Sequence, residues 1–222
     1  KLKLSVRRNF LFTNRLLIVA LVITGAIAAW GIIDTSSLAA TSAYLVKVEF
    51  TAYAWFIMLT VSFLLITSIF LAVSRYGRIK LGQDDDEPEF STVSWLSMLF
   101  AAGMGVGLLY WGTAEPLTHY LLISEFEDPR SSASKALSMT NFHWGLHAWA
   151  IYALTGLVIA YFGFRLGCPS LVSAPIIKVF GVNRITRGVG WLCDLLAIVA
   201  IAIGLGGSVA MGVFQVKEGV DA

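Results

Sequence analysis

Long uncharged stretches alternate with short polar ones along this chain. Leu16 to Ile33, Phe50 to Ser74, Phe90 to Ala114 and Ala136 to Phe164 carry no Asp, Glu, Lys or Arg, and a fifth run from about Val189 to Val216 carries only Asp194. A helix needs about 20 apolar residues to cross roughly 30 Å of hydrocarbon. The pattern therefore predicts five transmembrane helices in an all-α polytopic membrane protein. The first run has no small-residue cleavage site leading into a soluble domain, so it reads as a true span rather than a signal peptide.

The third run contains its own interruption. Between Trp95 and Ala114 lies Gly103-Met104-Gly105-Val106-Gly107, and Glu115-Pro116 follows. Each glycine costs roughly 1 kcal/mol of helix propensity relative to alanine. Backbone groups released inside a bilayer must be received by protein or by a polar cavity. One reading is a ligand site, with freed N–H groups toward an anionic group and freed carbonyls, such as those of Ala101 and Met104, toward a small cation. The plainer reading is close helix packing, which the four-residue spacing of Gly103 and Gly107 satisfies. Gly105 exceeds what packing requires.

Composition agrees with the span pattern. The chain is 57% hydrophobic and 14% charged, with a mean hydropathy of +0.77, outside the range of ordinary soluble domains. Twelve of the Lys and Arg residues precede the first span, follow the second, or lie between the fourth and fifth. Lys47, Arg130, Lys135 and Lys217 fall on the other side. That asymmetry predicts a cytoplasmic N-terminus. It also accounts for the net charge of +2 without a nucleic-acid partner.

The segments between spans read as an outside loop from Asp34 to Glu49, an acidic linker around Asp84-Asp85-Asp86-Glu87, and an outside loop from Ser124 to Lys135. Leu166 to Ile177 is apolar but too short to span. Cys168 and Cys193, both predicted on the cytoplasmic side, give no disulfide framework.

Four further features could carry chemistry. Taking Trp144 as zero on a helical wheel, Tyr152 falls at about 80° and Trp149 at about 140°, an aromatic arc able to hold a quaternary ammonium or simply to pack. His143 and His147 stand four apart, a spacing that suits a metal, but no acid or thiol accompanies them in the span, so no metal site is expected. Glu115-Pro116 reads as a helix end or a gate contact. Asp194, the only acid inside a span, is expected to pair with Arg184 or Arg187.

The strings Gly103 to Gly107, Tyr110-Trp111-Gly112-Thr113-Ala114-Glu115-Pro116-Leu117 and Phe142-His143-Trp144-Gly145-Leu146-His147-Ala148-Trp149-Ala150-Ile151-Tyr152 resemble the betaine/choline/carnitine transporter family. The resemblance implies a LeuT-like fold of two peripheral helices and two inverted five-helix repeats, of which this chain is a fragment. Residues 1–15 would be a cytoplasmic tail, 16–80 the peripheral pair, 81–89 the acidic linker, and 90–222 the first three helices of repeat one. It implies a secondary transporter in the bacterial inner membrane, importing glycine betaine, choline or carnitine. Gly103, Met104, Gly105, Gly107, Trp144, Trp149 and Tyr152 would line the substrate path, and the carbonyls of Ala101 and Met104 would bind a coupling Na+.

No cofactor is expected beyond that ion. Proton coupling or exchange stays open, and the resemblance carries a homotrimer as a further expectation. The family's second sodium site needs two threonine hydroxyls where this chain has Ile201 and Leu205. The alternatives are an intramembrane metalloenzyme built on His143 and His147, or a nontransporting osmosensor.

Overall fold

The computed structural model describes residues 2–103 and 105–221, with side-chain surroundings from Arg15 to Val220 except at 102–104, 106 and 109. The described residues form helices and no strand. In chain order they are α1 (Leu2–Ile33), α2 (Thr35–Val48), α3 (Ala54–Val73), α4 (Thr92–Gly103), α5 (Val106–Ser124), α6 (Pro129–His143), α7 (Leu146–Ala160), α8 (Ser173–Phe180) and α9 (Arg184–Asp221). Among the described residues, four stretches are long and apolar enough to cross a membrane: Arg15–Ile33, Thr35–Val73, Pro129–Arg165 and Arg184–Val220. The third run differs, being divided between α4 and α5.

Two predicted loops are helical. Asp34 to Glu49 forms α2, which passes through one π-helical turn, Glu49–Tyr53, into α3. Asp34 starts it: its Oδ1 accepts from Ser37 N–H at 2.9 Å and from the Ser36 hydroxyl at 2.8 Å, the usual service of an N-cap carboxylate. Most of the segment from Ser124 to Lys135 belongs to α6, which opens with Asp128 as N-cap and Pro129 in its first turn. Proline is tolerated there because no helical acceptor awaits its missing N–H. Glu127 accepts from Lys135 and from the Ser131 hydroxyl, and these bonds hold its carboxyl below the usual range.

The chain divides into two compact units, Lys1–Thr60 with Leu157–Gly204, and Val61–Gly156 with Leu205–Ala222. In the first, Leu16 and Ala20 of α1 and Leu195 of α9 are buried, and Val19, Ile23, Trp191, Ile198 and Val199 pack around them. Ala20 is 1% exposed; its small side chain permits close approach where dispersion, not water release, drives helix association. In the second unit α5 pairs with α6. By contrast α3 buries no residue and carries no charge, as suits a helix facing lipid.

Among the described residues Asp194 pairs with no arginine, neither Arg184 nor Arg187. It is 5% exposed, and its carboxylate accepts from Ser173 N–H at 2.9 Å and from Ser173 Oγ at 2.7 Å. It thus caps α8 from another helix, because Val172, the residue before Ser173, supplies no side-chain cap. Gly190 permits this: a Cβ there would lie 2.9 Å from the Ser173 Cβ. Cys168 and Cys193 are both free.

Candidate functional site

The first break lies between α4 and α5. α4 ends at Gly103, and α5 starts at Val106 after Gly105, whose ψ of −138° takes it out of the helix. The Gly105 carbonyl then accepts from Leu108 N–H at 3.1 Å as α5 resumes. A Cβ on Gly107 would meet no described atom within 4 Å, and one on Gly105 would come no nearer than 3.7 Å, to the Ala101 carbonyl oxygen. Steric crowding among the described residues therefore does not explain these glycines. Ala101 is exposed; Met104, expected to contribute to both substrate and ion binding, lies outside the described residues.

α5 does not stop at Glu115-Pro116. It continues to Ser124 with Pro116 inside it, although proline cannot donate to the carbonyl one turn back. The acceptor that loses its helical donor is the Gly112 carbonyl; the Thr118 hydroxyl bonds instead to the Ala114 carbonyl, at 2.7 Å.

A second break occurs where the sequence suggested one continuous span. α6 ends at His143, Trp144 takes φ −92° and ψ 5°, and α7 begins at Leu146. Gly145 is required here, since a Cβ would sit 2.8 Å from the Asn141 carbonyl oxygen and 3.3 Å from that of Phe142. The single-helix wheel therefore does not hold across Trp144 and Gly145. What joins the aromatic residues is contact. The Trp149 indole donates to the Trp144 carbonyl at 2.9 Å, and the Trp149 and Tyr152 rings lie 5.8 Å apart at 45°. Tyr152 is 72% exposed.

Glu115 joins α5 to the break between α6 and α7. Its Oε2 accepts from Trp144 Nε1 at 2.7 Å, and its Oε1 lies 2.5 Å from His143 Nδ1 and 3.5 Å from His119 Nε2. The Glu115 side chain is only 12% exposed, so these partners replace much of its water. The His119 and His143 rings are 5.4 Å apart, whereas His147 packs against Phe142 at 5.2 Å. His143 thus meets Glu115 and His119, and the break at Gly145 takes His147 off the helix that carries it. Sequence reasoning did not weigh His119; its place four residues after Glu115 on one helix face was the available signal.

A groove of about 410 Å³ lies between α5 and α6, lined in part by Gly112, Pro116, Tyr120, Ala133 and Leu137. None of the three arc residues lines it. On α9, Ile201 and Leu205 are exposed apolar side chains, 68% and 64%, with no oxygen to offer a cation.

The family model described as betaine/carnitine/choline family transporter matches residues 15–222. Among curated relatives, glycine betaine transporter OpuD of Bacillus subtilis is 40% identical over 206 residues, covering 91% of this chain and 40% of its own length. A probable glycine betaine transporter of Desulfitobacterium hafniense is 37% identical over 210 residues, 94% of this chain and 42% of its own. Betaine/ectoine transporter LcoP of Corynebacterium glutamicum is 40% identical over 201 residues, 88% of this chain and 31% of its own. The chain thus spans about two fifths or less of the length of these relatives.

Proposed function

The chain belongs to the betaine/carnitine/choline family of transporters, and from that premise we propose that the whole protein is a secondary transporter importing glycine betaine, or a related quaternary ammonium osmolyte, across a bacterial plasma membrane. Membership makes it a transporter rather than an enzyme, which removes the metalloenzyme built on His143 and His147. The substrate class draws on relatives named for glycine betaine and for betaine and ectoine.

The observation that carries the proposal is the interruption at Gly105. An unwound segment inside a bilayer offers N–H groups to a carboxylate and carbonyls to a cation. We assign Gly103, Met104, Gly105 and Gly107 to the substrate carboxylate side. Trp144, Trp149 and Tyr152 would face the trimethylammonium group, whose charge is attracted to each ring face by about 0.5–2 kcal/mol. The carbonyls of Ala101 and Met104 would hold the coupling ion, taken as sodium, and the N-terminus would be cytoplasmic. The apolar Ile201 and Leu205 favour one sodium site in this part of the protein rather than two. Alternating access would proceed by rocking the first repeat, to which residues 90–222 belong, against a scaffold around the unwound helix.

Counterflow of labelled glycine betaine in proteoliposomes holding the full-length protein tests the reading. Exchange competed by choline or carnitine supports a carrier of this class. Binding without counterflow would make the protein a sensor, and absence of binding for every trimethylammonium compound would overturn the substrate.

A further inference from the structure

Glu115 and His119 stand four apart on α5 and share one face of it; His143, the last residue of α6, closes against them. Glu115 Oε1 lies 2.5 Å from His143 Nδ1 and 3.5 Å from His119 Nε2, and one ligating atom from each residue falls within 4.8 Å of the others. Bonds of about 2.0–2.1 Å to a tetrahedral zinc ion set neighbouring donors roughly 3.3–3.5 Å apart. The 3.5 Å separation already matches that spacing, and the 2.5 Å contact between Glu115 and His143 would have to open by side-chain rotation to reach it.

Two more observations point to a ligand. His119 Nε2 is buried and makes no hydrogen bond among the described residues, although buried polar atoms nearly always have a partner. The second carboxylate oxygen, Oε2, is already held by Trp144 Nε1 at 2.7 Å. Carboxylates that bind metals commonly carry such an outer hydrogen bond, which fixes their orientation.

We propose that Glu115, His119 and His143 form a binding site for a borderline transition-metal ion, zinc being the representative, which pins α5 to the end of α6. Two imidazoles and a carboxylate suit such ions, while magnesium and calcium prefer sites made of oxygen alone. When His143 Nδ1 turns its lone pair to the ion, the ring proton resides on Nε2. The ring is 46% exposed, which leaves room for an acceptor at that proton. A fourth position remains for water, as in open zinc sites. This site shares no residue with the carbonyls assigned to sodium and does not depend on the identity of the transported solute.

Titration calorimetry of the full-length protein with Zn2+ alone, with Mg2+ as comparison, tests the proposal. The expected result is zinc binding that magnesium does not mimic, weakened at least about tenfold by His119→Gln or His143→Gln. His147→Gln is expected to leave it unchanged. His119→Cys, which supplies a thiolate in place of the imidazole, is expected to bind zinc more tightly than His119→Gln, separating a lost ligand from a misfolded protein. Absence of zinc binding, equal affinity in the wild type and both glutamine variants, or an equal loss in His147→Gln would overturn it.

Discussion

Trp144 Nε1 donates to Glu115 Oε2 at 2.7 Å, across 29 positions of sequence. The bond ties the break between α6 and α7 to the interior of α5 through one carboxylate. A hydrogen bond to a charged group contributes about 1.5–3 kcal/mol. A double-mutant cycle between Glu115→Ala and Trp144→Phe, read from unfolding in detergent, is expected to give a coupling of about 1–2 kcal/mol. Strictly additive losses would mean that the bond does not stabilise the pairing.

Gly145 and Gly156 are expected to respond oppositely to alanine. At Gly145 the new Cβ meets the Asn141 carbonyl oxygen at 2.8 Å; at Gly156 it meets nothing described within 4 Å. Gly145→Ala should destabilise by about 1–3 kcal/mol through backbone displacement. Gly156→Ala should be neutral or stabilise by up to about 1 kcal/mol, since alanine is the better helix former. Thermal unfolding of the two variants, compared side by side, checks the contrast.

Asp194→Ala should loosen α8. It leaves Ser173 N–H and Oγ without their acceptor in a buried place, at roughly 1–3 kcal/mol for each group left unpaired. Asp194→Asn keeps an acceptor for the N–H and should lose less. Gly190→Ala, which crowds the Ser173 Cβ at 2.9 Å, should act in the same direction as Asp194→Ala. Faster hydrogen exchange confined to α8 would report all three.

How much of this was visible in the sequence depends on the range of the interaction. Uncharged length located the first, second, fourth and fifth runs, because crossing hydrocarbon is a condition on composition alone. The glycine string likewise located the break at Gly105. Asp34 to Glu49 reads as a loop because it lies between two charge-free runs, whereas Asp34 is an N-cap with α2 behind it. The partners of Asp194 and Glu115 were hidden for another reason. Ser173 lies 21 positions from Asp194, and Trp144 lies 29 from Glu115; only helix packing decides which side chains meet over such separations. The second break was partly legible at Gly145, but the crowding there comes from backbone carbonyls that a helical wheel does not represent.

The start of α2 should respond to acid. The Ser37 N–H, and after it the Ser36 hydroxyl, hold the Asp34 carboxyl below its usual range. A carboxyl depressed in the folded state contributes stability above its unfolded pKa and loses it as pH falls through the lower folded value. Amide exchange at Ser37 should therefore be protected at neutral pH, with protection declining only below about pH 4. Asp34→Asn, which can cap without titrating, should remove that dependence. An unchanged acid response in the variant would assign it to another group.

The central claim is that the helix broken at Gly105 serves a quaternary ammonium solute together with a cation. Its most direct measurement is uptake of labelled glycine betaine by proteoliposomes containing the full-length protein, under an inward gradient of sodium or of potassium. The account predicts concentrative uptake with sodium, little with potassium, and a loss of at least about tenfold in Trp149→Ala, which removes a ring assigned to the trimethylammonium group. Equal uptake under both gradients would contradict sodium coupling. The absence of glycine betaine uptake under either gradient would contradict the claim itself.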